Sequence, residues 1–326
     1  MFENILKLIN NKQNFVITSH VNPDGDSIGS EIALHKYLKN LGKTARIINY
    51  SLTPQNYTFL DNSKIIEKFD ENTHNAVLQN AEVIFILDTN EYSRLKTMAN
   101  SVMNSPAKKV CIDHHMGFNL NGFDFFISDT DSPATGEVLY KLFTYNGNNS
   151  ISADIAVALY AAIMTDTGSF RFPRTDSETH KIAAKLIEYG ADPVEIYNEI
   201  YDKSSFGKLK LLSIFLNKLI LACDNKLIYA SLLQKDFIDT GTTEIDTEGF
   251  SSHMMSIKTV QIGIIFTETK RGIKISFRSK GDAHVNELAK EFGGGGHSNA
   301  AGSFIENANL EELIKNVLAK AKNYIK

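Results

Sequence analysis

The sequence predicts an α/β protein: a doubly wound, mainly parallel sheet, then a helical connector, then a smaller α/β domain. Three observations carry that reading. First, Phe15-Val16-Ile17-Thr18, Val83-Ile84-Phe85-Ile86-Leu87 and Val110-Cys111-Ile112 are short apolar runs rich in β-branched residues. Runs without polar alternation suit strands buried on both faces. Second, segments of helical periodicity lie between them, as a parallel sheet requires. Third, the texture changes in the last third of the chain, where strand-like and helix-like segments follow a new order.

Taken in order, Ser27 to Leu41 carries Ile28, Ile32, Leu34, Tyr37, Leu38 and Leu41 at near-helical spacing, with Gly42 as a stop. Segments 134–145 and 151–164 read the same way. Ser177 to Gly190 reads as a helix, Ala191-Asp192-Pro193 punctuates it, and 194–222 reads as helical again. Lys226 to Leu233, Val260 to Thr267 and Gly272 to Arg278 read as strands. Val285 to Phe292 and Asn309 to Ile325 read as helices. The expected domains are 1–190, a connector 191–216, and 217–326.

The bulk numbers exclude several classes. With 326 residues there is room for two domains, each with a core. The net charge of −4 argues against a long, non-specific nucleic-acid groove, which would be basic. Cys111 and Cys223 are far apart and in no CxxC pair, which suits a reducing cytosol. The apolar run Ile155 to Met164 is far short of the roughly 20 residues that a membrane helix needs. Asn10 to Asn14 interrupt any signal-like apolar stretch. A cytoplasmic protein without a membrane partner is expected.

The apolar runs end on chemically capable residues. His20-Val21-Asn22-Pro23-Asp24-Gly25-Asp26 follows the first, Asp88 the second, and Asp113-His114-His115 the third. Asp166 closes the apolar segment 151–164 within Thr165-Asp166-Thr167-Gly168. Ligands of doubly wound sheets bind beyond the carboxyl ends of the strands, where these residues fall. Each alone reads as readily as a turn, cap or core residue. Four segments placing carboxylates and imidazoles at one sheet edge point instead to divalent cations. The mixed O and N donors suit a transition metal such as manganese. Phe292-Gly293-Gly294-Gly295-Gly296-His297 forms a further motif. It is either a flexible linker or a place where backbone N–H groups approach a phosphate unhindered.

These motifs resemble, in order, those of the DHH/DHHA1 phosphoesterase family. The matches are His20 to Ser30, Asp88, Asp113 to His115, Asp166 with Gly168 to Arg171, and the glycine run with Ala300-Ala301-Gly302. Within that family the chain is most similar to bacterial nanoRNases/pAp phosphatases and cyclic-di-AMP phosphodiesterases. The resemblance implies a DHH catalytic domain, a DHHA1 substrate domain and two manganese ions. His20, Asp24 and Asp88 would hold one ion; Asp26, Asp88, His114 and Asp166 would hold the other, with Asp88 bridging. Asp113 would orient a ligand histidine, and His115 would face the substrate phosphate. Arg278, Gly294, Gly295, Gly296 and His297 would bind the nucleotide. Two ions about 3.5–4 Å apart can activate a water for in-line attack at phosphorus.

The implied substrates are short RNA or DNA oligomers, pApA, pAp or cyclic-di-AMP, with no long duplex; a homodimer follows from the resemblance alone. Two other functions compete. A pyrophosphatase or exopolyphosphatase would share the N-terminal motifs but not the Gly-Gly-Gly-His run. A non-catalytic dinucleotide sensor would be expected to have lost metal ligands, and all six are present. A processive exonuclease fits poorly, since the chain has no room for an added strand-binding domain.

Overall fold

The computed structural model describes residues 2–115, 117, 122–147 and 150–326, without the side chains of Asn146 and His297. The chain forms two compact units, residues 1–203 and 204–326. The segment 191–216 is divided between them.

The first unit runs α1 (Phe2–Asn11), β1 (Asn14–Thr18), α2 (Gly25–Asn40), β2 (Thr44–Asn49), β3 (Ile66–Lys68), α3 (Glu71–Asn80) and β4 (Val83–Leu87). It continues with α4 (Met98–Met103), β5 (Lys108–Asp113), β6 (Phe125–Ser128), α5 (Thr135–Phe143), α6 (Ala153–Asp166), α7 (Ser177–Glu188) and α8 (Pro193–Tyr201). Its strands form one sheet in the order β3-β2-β1-β4-β5-β6, every pair parallel. The three expected strands are its central members.

Alternate residues of the strands feed two separate cores, because side chains of a strand alternate between faces. Phe15, Ile17, Phe85, Leu87, Val110 and Ile112 pack with α1, α2, α5, α6 and α7 on one face. Val16, Ile48, Ile84 and Ile86 meet Leu78 of α3 and Met98 and Val102 of α4 on the other. The doubly wound architecture therefore follows from continuous apolar runs, each of which buries both faces. Full burial of one such side chain contributes about 1.5–3 kcal/mol. Helix starts are set by side-chain caps: Asp24 on α2, Asp70 on α3, Asp176 on α7, and Asp192 followed by Pro193 on α8.

The second unit runs α9 (Phe206–Asn217), β7 (Ile220–Ala222), β8 (Leu227–Leu232), α10 (Gln234–Thr240), α11 (Phe250–Met255), β9 (Ile262–Glu268) and β10 (Gly272–Ser279). After these come α12 (Val285–Lys290), β11 (Gly295–His297), β12 (Ala300–Glu306) and α13 (Leu310–Ala321). Its sheet has the order β11-β12-β10-β9-β8-β7 and is antiparallel except for β8 with β9. The continuous helix expected over 194–222 is instead two helices and a strand. Ser205 starts a new helix by accepting from Lys208 N, and Ile220–Ala222 pairs with β8.

The glycine run is not a flexible linker. Gly295 to His297 form the edge strand β11. A Cβ on Gly294 would lie 2.1 Å from Gly302 O, and one on Gly296 would lie 2.5 Å from Ala300 O. Those two glycines are required by the close approach of β12. A Cβ on Gly295 would meet no described atom within 4 Å, so packing does not explain its bare backbone. No helix among the described residues is long and apolar enough to cross a membrane.

Candidate metal centre

The strand order reverses direction between β1 and β4, and the candidate residues cluster just beyond the carboxyl ends of β1, β4 and β5. Such a switch point leaves a crevice in an open parallel sheet. His20 follows β1, Asp88 ends β4, Asp113 to His115 end β5, and Asp166 is the last residue of α6. Asp24 caps α2, and Asp26 lies in its first turn.

Among the described residues, three overlapping groups have donor atoms within 4.8 Å of one another: His20, Asp24 and Asp88; Asp26, His114 and Asp166; and Asp88, His114 and His115. His20 Nε2 lies 3.2 Å from Asp88 Oδ2 and 3.9 Å from Asp24 Oδ2. His114 Nε2 lies 3.3 Å from Asp166 Oδ2, 3.5 Å from Asp88 Oδ1 and 3.8 Å from Asp26 Oδ2. Both rings are turned by their other nitrogen. His20 Nδ1 meets Val21 O at 2.9 Å and His114 Nδ1 meets Ser132 O at 3.3 Å, so each presents Nε2 to the carboxylates.

The carboxylates are fixed as firmly. Thr135 N and Gly136 N donate to the two oxygens of Asp26 at 2.6 and 2.8 Å. Ser27 Oγ donates to Asp88 Oδ2 at 2.6 Å, and Thr135 Oγ1 donates to Asp88 Oδ1 at 3.1 Å. Asp88 adopts φ 58°, a left-handed conformation unusual for a residue with a Cβ. Strain of this kind concentrates at functional sites.

Asp113 reaches His115, not His114. Its Oδ1 is 2.7 Å from His115 Nδ1, and its Oδ2 accepts from Asn90 Nδ2 at 2.8 Å. A spacing of two puts Asp113 and His115 on one side of an extended chain. The orientation of His114 falls instead to the carbonyl of Ser132. His115 is half-exposed and also lies 3.7 Å from Asp88 Oδ1.

The electrostatics describe a site built for cations. Burial and the neighbouring Asp88, Asp166 and Asp24 push the Asp26 carboxyl well above the usual range. Burial, Asp88 and Asp24 push Asp166 up to about 7. Asp88 goes the other way: burial would raise it, but His20, His115 and His114 hold it far below. Crowded carboxylates resist ionising together, and a bound divalent cation inverts that preference. The buried imidazole and carboxylate donors therefore fit divalent metal ions.

Several supporting residues escaped the sequence reading. Ser27, Ser132 and Thr135 hold the ligands from outside, and Asn90 holds Asp113 behind His115. Ser27 sits inside the His20 to Ser30 motif and was in view; the others carry no local signal. Two arginines also bear on the cluster. The Arg94 charge acts on His20 and His115, and Arg174 Nη1 lies 3.5 Å from His114 O. In the second unit Arg278 is on β10 and donates from Nη1 to Phe277 O at 3.0 Å. The His297 side chain lies outside the described residues.

One buried carboxyl next to the cluster yields a stability prediction. Burial pushes Glu31 up to about 8, against the pull of Asn49, which donates from Nδ2 to Glu31 Oε2 at 2.8 Å. An unfolded Glu titrates near 4.3. Between these values the folded chain holds a proton that the unfolded chain has lost, so stability falls as pH rises through that window. Glu31→Gln keeps an acceptor for Asn49 and should shrink the fall in melting midpoint between pH 5 and pH 8. An unchanged fall would show that Glu31 is not the group responsible.

The chain shares its doubly wound sheet, its clustered Asp and His donors and its mixed α/β second unit with a family whose members make it a hydrolase acting on ester bonds. The chain belongs to the DHH family: its N-terminal DHH domain matches residues 14–163 and its DHHA1 domain residues 224–326. It is 29% identical to the bifunctional oligoribonuclease and PAP phosphatase NrnA of Thermus thermophilus, over 93% of this chain and 87% of that protein. It is 26% identical to the protein of the same description from Bacillus subtilis, over 95% and 98%. An exopolyphosphatase-related protein of Bacteroides fragilis has the same fold, with a TM-score of 0.92 and 31% identity over 99% of this chain and 95% of that one.

Proposed function

We propose that the chain is a cytoplasmic, manganese-dependent phosphoesterase that hydrolyses short oligonucleotides and pAp to mononucleotides. The observation that carries this reading is the gathering of His20, Asp24 and Asp88 into one donor group and of Asp26, His114 and Asp166 into another, joined by a third in which Asp88 and His114 meet His115. The two relatives described as oligoribonuclease and PAP phosphatase support the substrate class. In this reading His20, Asp24 and Asp88 hold one ion, and Asp26, Asp88, His114 and Asp166 hold the second. Bound there, divalent ions supply a water nucleophile near neutral pH and counter-charge for the phosphoryl oxygens. Ser27 and Thr135 keep the Asp88 oxygens oriented, and the N–H groups of Thr135 and Gly136 do so for Asp26. Asp113 holds His115 toward the phosphate, and Arg278, His297 and the bare backbone of Gly294 to Gly296 take the nucleotide.

The test is an assay of purified protein with manganese against pAp, pApA, RNA of two to five residues, cyclic-di-AMP and pyrophosphate, each with a chelator control. Chelator-sensitive release of mononucleotide from the linear substrates is expected. Faster opening of cyclic-di-AMP would move the assignment to cyclic-dinucleotide hydrolysis. The description of the Bacteroides fragilis relative favours a second reading, hydrolysis of inorganic phosphoanhydrides, toward which cleavage of pyrophosphate alone would move the assignment.

The substrate role of the glycine motif has its own test. His297→Ala should raise KM for pApA and leave bound manganese unchanged. A loss of manganese would place His297 at the metals instead. Gly295→Ala has room in the fold, so a raised KM without a change in melting would report a ligand at that backbone.

A further inference from the structure

The loop between β6 and α5 supports three of the proposed ligands at once. It begins with Asp129 N donating to Asp113 O at 3.1 Å, beside His114. Ser132 O then faces His114 Nδ1. At its end Thr135 N and Gly136 N donate to Asp26, and Thr135 Oγ1 donates to Asp88. Any shift of this loop moves together the groups that orient His114, Asp26 and Asp88.

The loop is itself pinned from behind. Lys141 Nζ, on α5, donates to Ser132 Oγ at 2.7 Å and pairs with Glu137 Oε1 at 3.0 Å and Asp129 Oδ2 at 3.2 Å. Ser132 Oγ in turn donates to Asp129 Oδ2 at 2.8 Å, so this hydroxyl both accepts and donates. Glu137 is 2% exposed, and its second oxygen accepts from Thr179 Oγ1 of α7 at 2.8 Å. Burial would lower the Lys141 pKa, but Glu137 and Asp129 carry it above the ordinary lysine value. Among the described residues, the Lys141 ammonium is the cation that pairs with both carboxylates around Ser132. Without it a buried carboxylate loses its charge partner, which is strongly unfavourable. Moving the loop so that water reaches Glu137 relieves that.

We infer that Lys141, acting through Ser132 and Glu137, is a positioning residue for the Asp26–His114 side of the metal centre. The inference rests on the metal-centre reading above. Lys141 itself pairs with no proposed ligand; it holds the loop that orients them. Groups standing behind metal ligands change affinity about 10- to 100-fold when removed.

The experiment is a manganese titration of the full chain by calorimetry, paired with the melting midpoint of the metal-free protein. The proteins compared are wild type, Lys141→Met, Lys141→Arg and Thr179→Val. Lys141→Met should weaken manganese binding about tenfold, near the lower end of that range. Lys141→Arg, which keeps the charge, should recover most of the loss. Thr179→Val, which removes the hydroxyl that donates to Glu137 at 2.8 Å and lies 3.2 Å from Asp176, should weaken binding in the same direction by less. Wild-type affinity in Lys141→Met with a lowered melting midpoint would overturn the inference, since a plain structural brace behaves that way. If Lys141→Met does not fold, Thr179→Val decides: weaker binding at unchanged melting supports the role, and unchanged binding overturns it. A wild-type chain that takes up no manganese would instead overturn the metal-centre reading, and this inference with it.

Discussion

Replacing Asp88 with Ala should lower turnover of pApA by on the order of a thousandfold or more, even at saturating manganese. Asp88 belongs to two of the three donor groups, and its two oxygens face His20 on one side and His114 and His115 on the other. Removing it takes a donor from both proposed ions. It also leaves Ser27 and Thr135 without the acceptor that fixes them. The fold itself should survive. Asp88 is one of several crowded carboxylates, and its loss lets Asp26 and Asp166 ionise more easily. The φ of 58° penalises Ala by roughly 1–2 kcal/mol, whereas Gly adopts it freely. Asp88→Gly is therefore the control: equal loss of turnover in both variants, with better melting for Gly, isolates the missing carboxylate. Turnover of Asp88→Ala within a few-fold of wild type would defeat the bridging assignment.

That prediction could be framed from the sequence because the chemistry sits at the ends of continuous apolar runs. β1, β4 and β5 were legible since Phe15 to Thr18, Val83 to Leu87 and Val110 to Ile112 bury both faces and carry no polar break. β2 was missed because Arg46 interrupts it; that side chain pairs with Glu67 on the neighbouring strand β3. β3 is too short to announce itself, and nothing local tells β11 from a linker. The strand order was not legible either, since it depends on which runs pair across the chain. The candidate ligands were visible as residue types at strand ends, but their partners were not. Ser132, Thr135 and Lys141 reach the cluster through a loop whose shape is set by tertiary hydrogen bonds, and no spacing rule encodes that. The partner of Asp113 turned on local geometry: the choice between two adjacent histidines depends on which one shares its side of the chain.

The packing of α2 against α6 makes the strongest stability prediction. A Cβ on Gly29 would lie 2.4 Å from Ala158 O and 2.9 Å from Ala162 Cβ, and one on Gly25 would lie 2.4 Å from Thr165 Oγ1. Rotating Thr165 does not clear Gly25, because the Thr165 Cβ also lies 2.8 Å away, and the carbonyl of Ala158, inside a helix, cannot move. Helix propensity alone favours Gly29→Ala by about 0.8–1 kcal/mol. Overpacking a tight crossing costs about 1–3 kcal/mol, and a backbone contact this short belongs at the upper end. The sign is therefore destabilising, and the melting midpoint should fall by several degrees, at about 2–4 °C per kcal/mol for a unit of this size. The consequence reaches the metal centre, because the crossing joins the helix that starts beside Asp26 to the helix that ends at Asp166. If α2 moves away from α6, Asp26 separates from Asp166 and His114, so manganese affinity should fall with stability. A raised midpoint would mean that the helices separate without penalty and that propensity decides. A lowered midpoint with wild-type manganese affinity would mean that the carboxylates are held by the loop at Thr135 and Gly136, not by the helix crossing.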